Sequence, residues 1–183
     1  MAVKYGQLVE FTKKMEKLNG KQREDFLESC CKQLASWLLQ KVTERTKPGN
    51  YSKEIEVTAK RDSKYHKKGD KYKKMVAPKQ GGTLRRGWTA KTHEEAANGK
   101  GNGRKIEEYV NSMKIDHTGN IFRVEIINPV EYAAYVEYGH RKRNHQGWVP
   151  GKLMLTISET ELRAVTPQIL ERKIKKFLED AIQ

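Results

Sequence analysis

The stretch Asn128–Leu155, NPVEYAAYVEYGHRKRNHQGWVPGKLML, is the most aromatic part of a lysine-rich chain, and it limits the fold most strongly. Its second residue is a proline, which has no backbone N–H and a fixed φ, so a strand entering this stretch must end there. Tyr132, Tyr135 and Val136 then recur at helical spacing, which predicts a short helix packed through that face. Gly139 adopts positive φ at little cost, and it therefore predicts the end of this helix.

A basic loop and a tryptophan-containing turn follow the predicted helix. The loop, His140–His145, carries three cationic side chains between its two histidines. In the turn GWVPG, Trp148 next to arginines is typical of a protein contact, but it fits a packed corner of the core equally well. The sequence leaves both alternatives open for Trp148. Glu137 is expected to form an ion pair or hydrogen bond that anchors the basic loop. Leu153, Met154, Leu155 and Ile157 are expected to return to the core.

The segments EYAAYVEYGHR and GWVPGKLML resemble the signature of the HK97 gp10-like family, small structural proteins of tailed bacteriophages and prophages. Upstream, GGTLRRGW (Gly81–Trp88) is similar to the other block of that family, in which a turn leads through Leu-Arg-Arg into a strand. The two blocks occur in the expected order. The resemblance extends over residues 81–160.

The resemblance implies a non-enzymatic virion protein without a cofactor. Such a protein acts at the neck or head-proximal end of a tail, in head–tail joining or tail completion, and is made in the host bacterial cytoplasm. Its partners would be neighbouring neck and tail proteins and copies of itself, in a closed ring because a repeated head-to-tail contact must close or grow into a filament. A tail would impose six-fold symmetry on that ring. The residues expected to form the interface are Tyr132, Tyr135, Tyr138, His140, Arg141, Arg143, Trp148 and Pro150.

The positive charge is concentrated in one segment. The chain has a net charge of +14, and from Lys47 to Lys91 there are 14 lysines and arginines against 4 acids, a net charge of +10. Ile55, Val57 and Ala59 alternate with polar residues, which predicts a short strand. Residues 61–80 then contain too few apolar groups to offset the entropy of ordering them, so we expect an exposed basic arm or hairpin at about 50–80, inserted into the family's usual pattern. Tyrosines interleave with its lysines, as in docking on an acidic protein or on nucleic acid. The residues expected to make that contact are Lys67, Lys68, Lys71, Tyr72, Lys73, Lys74, Arg85 and Arg86.

Length and apolar spacing predict one domain over residues 1–183, of class α+β: a single antiparallel β-sheet packed by a long N-terminal helix and C-terminal helices. A regular apolar stripe predicts the long helix from Lys21 to Arg45, and a similar spacing predicts another helix over residues 3–18. Residues 84–89 are expected to enter the sheet, and Ile121–Ile127 has the strongest strand pattern. The spacing over 106–117 fits a helical turn and a strand. C-terminal helical patterns flank Pro167, which is expected to interrupt or restart the helix.

No motif for catalysis or for a metal is present. The five histidines have no HxxxH or HExxH spacing, and the two adjacent cysteines, Cys30 and Cys31, lack a CxxC partner set and are expected to be reduced thiols on a helix. No run of about 18 apolar residues predicts a membrane span, and the N-terminus lacks the apolar stretch of a signal peptide. The alternatives to a structural protein are a basic nucleic-acid-binding module and an unrecognised nuclease. A nuclease would need clustered acids for a divalent ion, and the chain lacks that spacing.

Overall fold

The computed structural model describes residues 20–49, 52–76, 81–99, 105–119 and 121–180, and the helix predicted over 3–18 lies outside them. The described chain is α+β, with six helices and three small antiparallel sheets. The helices are α1 (Gly20–Arg45), α2 (Thr83–Gly87), α3 (His93–Asn98), α4 (Ile106–Asn111), α5 (Ala133–Tyr138) and α6 (Met154–Asp180). The strands are β1 (Lys53–Thr58), β2 (Lys71–Val76), β3 (Asp116–Thr118), β4 (Ile121–Arg123), β5 (Gly139–Arg141) and β6 (Trp148–Pro150). None of the described helices has the length and apolar content to cross a membrane.

The two long helices, α1 and α6, pack against each other in antiparallel orientation. Near the start of α1, the Phe26 ring stacks on that of Phe177 late in α6, with centroids 4.3 Å apart. At the other end, Arg45 Nη1 donates to Ser158 Oγ at 3.0 Å, and the same guanidinium pairs with Glu161. The apolar stripe of α1 therefore predicted the helix correctly, and α6 is the element that covers part of it.

Helix α6 is continuous through Pro167, so the predicted interruption is wrong. A proline inside a helix removes one backbone hydrogen bond and strains the preceding turn. Contacts with α1 hold α6 on both sides of the proline, because Ser158 and Glu161 precede it and Phe177 follows it. Tertiary packing thus offsets the local cost.

The hydrophobic core forms where α1, α4, the end of α2 and the start of α6 converge. It is built from Ala35, Leu39, Val42, Trp88, Val110 and Met154. The indole of Trp88 is buried, and its Nε1–H donates to Thr46 Oγ1 at 2.8 Å. Thr46 Oγ1 in turn donates to Val42 O at 2.7 Å, so a short polar chain crosses the core with its groups satisfied.

The predicted single sheet is wrong, because the strands form three separate hairpins. β1 pairs only with β2, β3 with β4, and β5 with β6, each in antiparallel register. The long helices supply the main core, so the strands have no common surface to cover. Ile121–Ile127 shows the effect: only Ile121–Arg123 pairs as β4, and Val124 and Ile126 pack against the helical core instead.

The segment 84–89 is also not a strand. It lies in α2 and the turn after it, where Arg86, Gly87 and Trp88 are buried. Both readings of residues 106–117 apply in part, since Ile106–Asn111 is helix α4 and Asp116–Thr118 is strand β3.

The Trp88–Thr46 hydrogen bond provides a test of this packing. Thr46→Val keeps the side-chain shape but leaves the buried indole N–H without an acceptor, so the free energy of unfolding should fall by about 1–3 kcal/mol. Thr43→Val, in the last turn of α1 just before Thr46, is the matched control, because Thr43 Oγ1 is buried and has no hydrogen-bond partner among the described residues. Urea denaturation should show Thr43→Val equal to or more stable than the wild type. Equal losses in both variants would contradict the assigned role of Thr46.

Candidate interaction surface

The two segments that carry the family resemblance meet in the structure. Asn128 Nδ2 donates to Leu84 O at 2.9 Å, and Val130 N donates to Asn128 Oδ1 at 3.2 Å. A Cβ at Gly87 would collide with the Asn128 and Val130 side chains, so only glycine permits this approach. The turn before α5 is thereby fixed against α2.

Adjacent arginines of α2 have opposite surroundings. Arg86 is only 3% exposed, and its guanidinium donates to Ala96 O at 2.8 Å and to Gly81 O at 3.2 Å. These bonds tie the end of α3 to the glycine turn before α2, and they leave Arg86 inside the protein. Arg85 is half-buried, and its Nε has no hydrogen-bond partner in the described part of the chain. Of the two arginines, Arg85 alone is placed to meet an external group.

Gly139 ends α5, as predicted, with a φ of +86°. It also opens β5, which pairs with β6 in the register Gly139–Pro150, His140–Val149 and Arg141–Trp148. A Cβ at Gly139 would strike Val149 O and the Trp148 indole. Glycine is required here both for the backbone conformation and for the close approach of the tryptophan turn.

Glu137 is buried at the end of α5, and its carboxylate caps α6. Its Oε2 accepts from Leu155 N at 3.0 Å, and its Oε1 accepts from Thr156 N and from Thr156 Oγ1, each at 2.9 Å. A carboxylate at a helix N-terminus satisfies free N–H groups and interacts favourably with the helix dipole. The expectation that Glu137 anchors the basic loop is wrong, because the group that it holds is the long C-terminal helix.

The residues expected to form an interface project from this fixed framework. Tyr135, Tyr138 and Trp148 are 61%, 65% and 58% exposed. The packed face predicted for α5 is therefore wrong in part, since Val136 packs against the core whereas Tyr135 does not. We define the aromatic–basic surface as the exposed side chains of α5 and of the β5–β6 hairpin: Tyr132, Tyr135, Tyr138, His140, Arg141, Arg143, Trp148 and Pro150.

The surface continues onto side chains that the sequence assigned to the core. Leu153 and Ile157 are exposed, whereas Met154 between them is buried. Leu153 has a φ of +49° immediately before α6, a backbone bend that apolar spacing cannot indicate. Together with Val149 these side chains extend the apolar part of the surface beyond Trp148.

The basic segment forms a hairpin in which part of the charge is matched. Lys71 and Lys73 on β2 pair with Glu56 and Glu54 on β1, at 3.3 Å and 3.2 Å. The Tyr72 ring stacks on His66, with centroids 4.0 Å apart, so that ring already has a partner. The other predicted contact residues of this hairpin, Lys67, Lys68 and Lys74, are exposed. The predicted contact through Arg86 is wrong, because its guanidinium is buried and bonded to backbone carbonyls.

No catalytic or metal centre is evident in the described ranges. They contain no group of three or more His, Cys, Asp or Glu side chains that could hold a metal ion. Cys30 and Cys31 are free thiols on α1. Burial raises the pKa of the Cys30 thiol, an effect that Lys173 partly opposes, and burial together with Glu28 raises the pKa of Cys31. Both thiols are therefore less ionised at neutral pH than an exposed cysteine, which makes them poor nucleophiles.

The cap on α6 can be tested by Glu137→Gln, which keeps the side-chain size but removes the charge and one acceptor. The unfolding free energy should fall by about 1–3 kcal/mol, because Gln cannot accept all of these bonds in a buried site. Glu131→Gln is the matched control, since Glu131 is exposed close by, and it should change stability by less than about 0.5 kcal/mol. Urea denaturation at neutral pH measures both. Equal stability of Glu137→Gln and wild type would refute the capping role.

Comparison with known families finds one match. The family described as "Bacteriophage HK97-gp10, putative tail-component" matches residues 70–139, a range that runs from β2 through α5 and ends at Gly139. This confirms the family resemblance, and it supports a structural role in a phage particle, with contacts to other phage structural proteins and a place in the virion. Neither the curated proteins nor the solved structures contain a significant match to the chain.

Proposed function

We propose that this HK97 gp10-like chain is a structural protein of the neck or the head-proximal end of a phage or prophage-derived tail. There it joins head to tail or completes the tail, and it does so by protein–protein contact without catalysis. The observation that carries the proposal is the aromatic–basic surface, whose tyrosines and tryptophan are exposed although their backbone is firmly held. Before assembly the chain would be in the host cytoplasm.

The composition of this surface fits a protein interface. Tyr, Trp and Arg are the residues most enriched among those that dominate binding energy, and a contiguous exposed apolar patch marks an interaction site. The Glu137 cap and the tight Gly139 turn fix the backbone on either side of Tyr138. A preformed surface loses little conformational entropy on binding, so more of the contact energy appears as affinity.

The proposed arrangement of copies is a closed ring, with the six-fold symmetry of a tail. A two-fold contact through the aromatic–basic surface would place the Arg141–Arg143 segments of both copies against each other, and like charges facing each other oppose association. A head-to-tail contact brings this surface against a different face of the next copy. Such contacts close into a ring when the rotation permits.

Replacement of Trp148 by alanine tests the interface. The isolated chain should keep its unfolding free energy within about 0.5 kcal/mol, because the indole is largely exposed. Incorporation into particles should fall at least about tenfold, as for a residue that dominates an interface. The measurements are thermal unfolding of the purified variant and quantification of the chain in purified particles from cells carrying the variant gene.

The matched control is Ile121→Ala, which removes an apolar side chain of similar exposure on β4, away from the aromatic–basic surface. It should leave incorporation unchanged. Normal incorporation of Trp148→Ala would refute the interface, and global unfolding of that variant would assign the indole to the core.

A nucleic-acid contact through the β1–β2 hairpin is a second candidate, favoured by the turn that joins the strands. Lys60, Arg61, Lys64, Lys67 and Lys68 lie in this turn, and the described residues include no ion-pair partner for them. The Asp62 and Asp70 carboxylates accept instead from the backbone N–H groups of Lys68 and Lys67, at 2.7 Å and 2.8 Å. Tyr65 is 79% exposed, so the turn offers cations together with an aromatic ring for base stacking.

The hairpin provides its own matched comparison. The variant Lys64→Gln/Lys67→Gln/Lys68→Gln removes turn charges, whereas Lys71→Gln/Lys73→Gln removes charges that glutamates already pair. If the hairpin binds duplex DNA, the first variant should lower both the affinity and its salt dependence, with a slope reduced by up to about 3, and the second should have the smaller effect. Fluorescence anisotropy over a salt series measures this. Absence of binding to the wild type at low salt would remove the DNA contact.

A further inference from the structure

A small cationic pocket lies beside the aromatic–basic surface. It has a volume of about 170 Å³ and is walled by the segment that follows α1 (Lys47–Gly49), by the glycine turn before α2, and by the side chains of Tyr132 and Lys152. A Cβ at Gly81 would collide with the backbone of Gly49, so the chain segments that form the wall approach each other closely. The pocket therefore belongs to the packed body of the protein.

The lining of this pocket is electrostatically one-sided. Lys47, Arg85 and Lys152 line it, and no acidic side chain is among its lining residues in the described part of the chain. Arg85 Nε is buried and has no hydrogen-bond partner within the described residues. A buried donor without an acceptor is costly, and three cations that converge on one cavity repel each other. An anion in the pocket would offset the repulsion among the three cations and would offer acceptor oxygens to the Arg85 guanidinium.

We propose that this pocket is a socket for a carboxylate side chain, Asp or Glu, of a protein that contacts the aromatic–basic surface in the particle. This inference rests on the proposed function for the identity of the partner. A carboxylate matches the planar guanidinium of Arg85, and both lysines are exposed at the rim. The pocket adjoins Tyr132, so a partner seated on the tyrosines would bring an acidic side chain within reach. An Asp or Glu carboxylate is attached to its backbone by one short aliphatic chain, so it fits a small walled cavity better than a continuous phosphate backbone does.

The test uses the full chain and two probes: acetylated, amidated tetraglutamate, and inorganic phosphate at the same ionic strength. Amide shifts of Gly82, Thr83 and Tyr132 in ¹H–¹⁵N spectra report binding. Titration with tetraglutamate should shift these signals saturably and should give a lower dissociation constant than titration with phosphate. Arg85→Gln should weaken that binding about tenfold or more, because it removes a charge-assisted hydrogen bond. Lys142→Gln, a charge removed from the exposed loop outside the pocket, should leave it within about twofold.

Lys47→Gln/Lys152→Gln provides a second variant, because both side chains are exposed and their replacement spares the core. It should also weaken binding. The socket is refuted if the pocket amides do not shift saturably, if Arg85→Gln and Lys142→Gln bind alike, or if phosphate binds more tightly than tetraglutamate. If the wild-type chain bound tetraglutamate selectively but was absent from purified particles, the proposed tail role would be refuted and the proposed carboxylate socket would still stand.

Discussion

The contact between the Glu137 carboxylate and the first turn of α6 connects the interior of this protein to its surface. The carboxylate is buried, and it accepts from two backbone N–H groups and one hydroxyl. A buried charge is tolerated only when such partners replace water. Because Glu137 is in α5 and α6 packs along α1, one interaction sets the position of the tyrosines, of the glycine at the end of α5 and of the helix that closes the core. The orientation of the aromatic–basic surface is therefore determined by the core.

The elements that the sequence predicted well are those specified by local chemistry. The apolar stripe of α1 and the positive φ of Gly139 depend on spacing and on one residue type, and both were found. The prediction of a single sheet was wrong because strand pairing depends on partners that are distant in sequence. Residues 84–89 were expected to enter the sheet because the family block that they resemble leads into a strand, but burial of Trp88 and the inward bonds of Arg86 stabilise a helical turn. The predicted interruption of α6 at Pro167 was wrong because packing against α1 overrode the strong local preference of proline against a helix interior.

The candidate surface was identified by residue type, whereas its exposure and its supports were not predictable. Neighbouring residues illustrate the limit: Arg85 borders a pocket and Arg86 is buried, although both are arginines on one short helix. Likewise Val136 packs inward and Tyr135 points outward, because a six-residue helix offers only one turn to the core. Glu137 acts as a cap because α6 begins at Met154. The sequence does not indicate this start, because Leu153 before it adopts a left-handed backbone conformation that is unusual for leucine. These outcomes are set by three-dimensional packing, to which spacing is insensitive.

The distribution of charge separates two contributions to assembly. On β2, two lysines are already paired with the glutamates of β1, whereas the hairpin turn, the loop after β5 and the cationic pocket each carry several lysines or arginines without such a pair. Exposed charges of one sign act over about 8 Å in physiological salt, and they raise the rate at which an acidic partner is encountered. Aromatic and aliphatic contacts act only after docking, and they govern how slowly the complex dissociates. A chain with a net charge of +14 is thus better suited to meet acidic neighbours than free copies of itself.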